Sequence, residues 1–199
     1  MKKIVLTVLF SILSFVSFSQ QKVLMILRDG RFNGIDDNLQ FEVVAIKEVL
    51  QKTGYQVVMA SESGNNLVGE KVVIKPDVLF NAITINDYSG IVIPCLSLEG
   101  RAVLGTNIVG VVKIAYDNGI PIAAQHNGVY ILYAAGLLSG KKFAMHANRL
   151  TDGIYSGTGV VRDGLLITSG TCTYIASETK RPDGSIELAI KLIEAMQYK

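Results

Sequence analysis

His126 has the most unusual chemical setting in this chain. Residues 121–124 read as a short buried strand, and residues 129–135 as a helix closed by Gly136, so residues 125–128 must make a very tight strand-to-helix turn. Such a turn lifts one side chain above the sheet edge, beside the backbone N–H groups that open the helix. The usual occupant is a nucleophile with glycine two residues on, where the following helix packs too closely for a Cβ. Gly128 is in place, but the elbow residue is a histidine. An imidazole cannot replace a thiolate in a Cys–His hydrolase, but it can serve as base, ligand or phosphoryl carrier. No serine occupies the elbow, so no Ser–His–Asp triad can be assigned. The chain holds 2 histidines and 2 cysteines. That set suits Zn²⁺ or copper, although no CxxC or HxxxH pair joins the ligands by spacing.

The elements that must position these residues alternate along the chain. Residues 22–27 form an apolar run of buried-strand length, and residues 28–37 a polar, glycine-containing loop. Leu39, Val43, Ile46 and Leu50 recur at helical spacing, which predicts a helix over residues 38–53 with Gly54 at its stop. Strands are expected at residues 56–60, near 71–74 and at 91–94. A helix follows over residues 107–117, ended by Gly119. Beyond the elbow, strands are expected at residues 142–145, 159–162 and 165–168. Residues 185–197 read as a closing amphipathic helix with Ile186, Leu188, Ile190 and Leu192 mostly inward. Strands alternating with helices imply a mostly parallel α/β sheet covered on both faces. Ligands of such sheets gather at the carboxyl ends of the strands, near a topological switch point. There is no P-loop and no GxGxxG; residues 105–110, GTNIVG, lack the middle glycine.

A chain of 199 residues with 49% hydrophobic content fits one domain around one core. Residues 1–19 differ in kind: Lys2 and Lys3 precede an apolar run, and Ser17, Phe18 and Ser19 supply a cleavage site. This pattern predicts a secretory signal peptide over residues 1–19, a mature domain over residues 20–199, and a periplasmic or secreted protein. The run is short for a membrane span, so no stable anchor is expected after cleavage. Loss of Lys2 and Lys3 lowers the basic residues from 19 to 17, against 17 acidic ones. The mature protein is formally neutral, and no basic patch argues for nucleic acid. In an oxidising compartment two thiols can pair.

The segment PIAAQHNGVYILYAAGLLSGK, with KVLMIL, GIVIP and DGLLITSG in the same order, resembles the ThiJ/PfpI (DJ-one/PfpI) family of the class I glutamine amidotransferase-like superfamily. The resemblance covers nearly all of residues 20–199. It implies a flavodoxin-like three-layer sandwich and places all four His and Cys residues around one pocket. By the resemblance, His126 takes the position of the family's nucleophilic cysteine. Glu42 matches the helix glutamate that hydrogen-bonds that nucleophile, and His146 matches a histidine often beside it. Cys95 follows IVIP, where a backbone N–H helps to form the oxyanion hole together with that of Asn127. Cys172 follows ITSG, in a loop folded over the pocket. The resemblance thus implies two fates for the sulfurs: a Cys95–Cys172 disulfide, or a Zn or Cu site shared with His126 and His146. The expected function is a small-ligand, metal-binding or stress-related module without the family's cysteine chemistry. The alternative is a divergent hydrolase or glyoxalase/deglycase-like enzyme using His126 with Glu42 and His146. Family precedent implies a homodimer.

Overall fold

The computed structural model describes residues 20–29, 34–95 and 106–198. The predicted signal peptide, residues 1–19, lies outside the described residues. Among those that are described, no helix is long and apolar enough to cross a membrane.

In chain order the strands are β1 (Lys22–Ile26), β2 (Gln56–Ser61), β3 (Leu67–Val68), β4 (Val73–Ile74), β5 (Val78–Leu79), β6 (Tyr88–Ile93), β7 (Ile122–Gln125), β8 (Lys142–Phe143), β9 (Ile154–Tyr155), β10 (Val160–Asp163) and β11 (Leu166–Ser169). The helices are α1 (Ile35–Asp37), α2 (Val44–Lys52), α3 (Thr106–Asp117), α4 (Val129–Ala134), α5 (Thr173–Thr179) and α6 (Ser185–Gln197). A π-helical turn, Asn38–Val43, joins α1 to α2.

Seven strands form one sheet in the order β10-β11-β7-β6-β1-β2-β5. Every neighbouring pair is parallel except β10–β11. The mostly parallel sheet that the alternating pattern implies is present, and the fold is the flavodoxin-like α/β sandwich implied by the resemblance. β1 lies mid-sheet: the chain first builds outward through β2 and β5, then returns to β6 on the other side. The switch point therefore lies between the carboxyl ends of β1 and β6, where a crevice opens.

Period-two alternation in the strands separates the two cores. Val23 and Met25 of β1 point to one face, packed with Ile46 and Leu50 of α2 and Leu188 and Leu192 of α6. Leu24 and Ile26 point to the other, packed with Val112 and Ala115 of α3 and Ile131 and Leu132 of α4. All of these side chains are fully buried. With both faces covered, the central strands read as continuous apolar runs rather than alternating ones.

Several elements differ from the sequence-based expectation. β6 begins three residues earlier than residue 91. The helix over residues 38–53 begins as α1 at Ile35, and its first full turn is π rather than α. In α6, Leu188 and Leu192 are buried, but Ile186 and Ile190 are 54% and 44% exposed. Residues two apart lie on opposite sides of a helix, so those four could not share a face. The true inward stripe adds Ala189, Ile193, Ala195 and Met196.

Candidate functional site

The elbow forms as its spacing predicted. β7 ends at Gln125, a single 3-10 turn spans His126–Gly128, and α4 starts at Val129. His126 has φ 45°, in the left-handed region. That conformation is steric in cost for a side chain with a Cβ, about 1–2 kcal/mol. A Cβ on Gly128 would lie 2.8 Å from the Ile93 carbonyl oxygen and 3.0 Å from that of Pro94. The neighbour that excludes a side chain is thus the end of β6, not the following helix. The strain at His126 gives a measurable ranking. His126→Val is expected to cost about 1–2 kcal/mol in chemical denaturation, because a β-branched residue fits the left-handed region worst. His126→Gly is expected near neutrality, relief of the steric cost offsetting the added backbone entropy. Equal losses in both variants would mean that the turn is unstrained.

Cys95 lies just past the end of β6, at the switch point. Its Sγ is 3.2 Å from His126 Nδ1. Its backbone N–H donates to Glu42 Oε1. Asn38 completes the link: Nδ2 donates to Glu42 Oε2 at 3.2 Å and to the Cys95 carbonyl at 3.0 Å. Glu42 is only 1% exposed. Burial first, and then the nearby Cys172 charge, push its carboxyl well above the usual carboxylate range. Glu42 is therefore held in a pocket that favours its neutral form.

Cys172 sits at the start of α5, as its N-cap residue. The loop expected there is in fact a loop end followed by a short helix. Cys172 receives the Cys95 S–H and, with further help from His126 and the Ile175 amide, its thiol falls to about 5 despite burial. The proton is retained by Cys95, which that same hydrogen bond to Cys172 and then burial push well upward. One member of the sulfur pair thus ionises readily and the other does not.

A buried polar network holds the two sides of this centre together. Gln125, adjacent to His126 and fully buried, donates through Nε2 to the Thr171 carbonyl at 2.8 Å and to Ser185 Oγ at 2.9 Å. Asp183 accepts from the Ser185 N–H at 2.9 Å and from Thr173 Oγ1 at 2.7 Å. The residues flanking Cys172 are thereby tied to the residue preceding His126. The sequence reading missed Gln125, Asp183 and Ser185; a glutamine ending an apolar strand was the available signal, since a buried amide requires partners.

Cys95, His126 and Cys172 offer ligand atoms all within 4.8 Å of one another. His146 is outside that group. Its ring lies 6.0 Å, centroid to centroid, from that of His126, edge to face. Its Nδ1 is buried without a hydrogen-bond partner among the described residues. The four-ligand set expected from the resemblance is thus a set of three plus a neighbour. Cys95 and Cys172 are both free thiols rather than a disulfide. The two expected oxyanion-hole donors are also engaged: the Cys95 N–H by Glu42, and the Asn127 N–H by the Cys95 sulfur. Glu42 accordingly bonds the amide of Cys95 rather than the elbow side chain. These residues line a cleft of about 700 Å³, whose walls include Tyr130, Arg149 and Tyr174. That volume accommodates a small organic molecule.

A mostly parallel sheet, an elbow after a mid-sheet strand and a cleft at the switch point define the class. The profile of the DJ-1/PfpI family matches residues 22–179, and this chain belongs to that family. An uncharacterized protein of Archaeoglobus fulgidus is 30% identical over 60% of this chain and 75% of its own length. A protein of Pyrococcus horikoshii described as a deglycase is 26% identical over 54% of this chain and 66% of its own. Among solved structures, the ThiJ/PfpI domain protein of Brachyspira murdochii superposes with a TM-score of 0.71. It is 17% identical and covers 91% of this chain and 99% of its own, a likeness of fold.

Proposed function

We propose that this chain is an exported DJ-1/PfpI protein that acts on small reactive carbonyl compounds, with its thiol supplied by Cys172 instead of the elbow. The observation that carries this reading is the contact of Cys172 with His126 and Cys95 at the wall of the cleft. By the resemblance, His126 stands where the family keeps its cysteine, and a sulfur from across the cleft stands beside it. The deglycase description of the Pyrococcus horikoshii relative supports the substrate class. Export rests on the Lys2, Lys3 and apolar-run pattern of residues 1–19.

The chemistry follows from the positions. The Cys172 thiolate adds to the carbonyl carbon, forming a C–S bond as the C=O π pair moves to oxygen. A proton relayed from solvent through the His126 ring neutralises that oxygen and gives a hemithioacetal. The same ring then carries the proton from the sulfur-bearing carbon to the neighbouring carbonyl carbon of a dicarbonyl, giving a thioester that water hydrolyses to a 2-hydroxy acid with release of the Cys172 thiol. Cys172 is only 1% exposed, so the electrophile must be small.

Methylglyoxal consumption by the reduced, chelator-treated mature protein tests the reading. Wild type is expected to turn over, and Cys172→Ser and His126→Ala to lose about 100-fold or more. Absence of turnover in wild type, or turnover indifferent to Cys172→Ser, would return the protein to the expected class of binding modules.

A further inference from the structure

We infer that Cys95, His126 and Cys172 also form a three-coordinate site for a soft, thiophilic cation, with cuprous copper as the matching ion. Three side chains from three separate parts of the chain converge: the end of β6, the elbow after β7 and the start of α5. Their ligand atoms lie within 4.8 Å of one another, and Cys95 Sγ and His126 Nδ1 are already 3.2 Å apart. Ligand atoms that share one small ion are spaced on this scale, with metal–sulfur and metal–nitrogen bonds of about 2.3 and 2.0 Å.

The donor set selects the ion. Two sulfurs and one imidazole are soft to borderline, which favours Cu(I) and Zn²⁺ over hard cations. Zn²⁺ takes four tetrahedral protein ligands in a structural site, and a two-cysteine, one-histidine set holds it only with a water in the fourth position. Among the described residues no fourth side chain joins the group: His146 is outside it, and Glu42 is held by the Cys95 amide and Asn38. Three donors without a carboxylate suit a low-coordinate cuprous ion better. The surroundings are pre-organised, because Gln125 and Asp183 tie the elbow and α5 to each other through hydrogen bonds that involve none of the three donors. The site uses the side chains of the proposed carbonyl chemistry, but it does not depend on turnover.

The test is an anaerobic titration of the reduced, metal-free mature protein with Cu(I) against a chromophoric cuprous chelator. Competitor absorbance reads copper alone, and sulfur-to-metal charge-transfer absorption reads the ligands. One Cu(I) per chain is expected. Cys95→Ser, Cys172→Ser and His126→Ala should each weaken binding at least about tenfold, a difference of about 1.4 kcal/mol. His146→Ala should leave stoichiometry and affinity within about threefold of wild type. Thermal melts of the metal-free variants establish that each is folded, and the Cys95→Ser/Cys172→Ser double variant should show no charge-transfer band. The inference is overturned if wild type fails to retain one Cu(I), if the double serine variant retains it, or if Zn²⁺ displaces Cu(I) at equal concentration. A loss on His146→Ala as large as that on His126→Ala would also overturn it. Failure of methylglyoxal turnover with copper still bound at these three residues would refute only the carbonyl reading.

Discussion

Titration of the reduced, metal-free protein by far-ultraviolet thiolate absorbance should show a step near pH 5, and Cys172→Ser should abolish it. An ordinary thiol, with a pKa of about 8.5, is roughly 0.3% ionised at pH 6; one near 5 is about 90% ionised. The roughly 300-fold gain in thiolate does not become a 300-fold gain in alkylation rate. Nucleophilicity falls with pKa, with a Brønsted slope of about 0.4–0.5, so the net advantage at pH 6 is about tenfold before steric shielding. The shape of the profile is therefore the sharper observable: alkylation should be flat above about pH 6. The sign is that of a group whose charged form is stabilised in the fold. The thiolate persists above the lowered value and is lost as pH falls through it. Cys95→Ala should move the step upward most, because the Cys95 S–H is the leading cause of the shift, and His126→Ala should move it less. A single step above pH 8 in wild type would contradict the arrangement.

Gly128→Ala should be the most damaging single-methyl change at the elbow. The added Cβ would face two backbone oxygens, those of Ile93 and Pro94, and the Cγ2 methyl of Ile93, which is itself fully buried. Overpacking against backbone costs about 3 kcal/mol, which for a domain of this size lowers the melting temperature by roughly 10 °C. Gly110→Ala is the matched control. Gly110 lies within α3, with open space where its Cβ would be, and alanine there should stabilise by about 1 kcal/mol. A small effect at Gly128, comparable with that at Gly110, would show that the end of β6 yields easily.

The sheet was legible because its strands are apolar runs punctuated by glycines with positive φ: Gly54, Gly119 and Gly136 each follow a helix where a stop was expected. Local sequence carries that information. What it does not carry is partnership over distance. The Cys95 amide meets Glu42 across 53 residues, and no periodicity announces a backbone-to-carboxylate bond. α5 was missed because TYIASET is short and polar, and its placement depends on Asp183 and Gln125 more than on propensity. The roles implied for Cys95 and Asn127 shifted for a related reason. A backbone N–H is assigned to an oxyanion by position, but whether it is free depends on which side chains reach it first.

The widened turn Asn38–Val43 carries an evolutionary consequence. A π turn corresponds to one residue inserted into an α-helix. Ile46 and Leu50 anchor the far end of that helix in the core, so the extra residue rotates what precedes it by about 100° relative to an uninterrupted α-helix. Asn38, which joins Glu42 to the Cys95 carbonyl, lies on the rotated side. Deletion of one exposed residue such as Gln40 would straighten the helix and withdraw Asn38, yet leave α2 seated on the sheet. A lineage carrying this fold can thus gain or lose the wiring of its cleft by a single-codon insertion or deletion, with no substitution at any residue that touches a ligand.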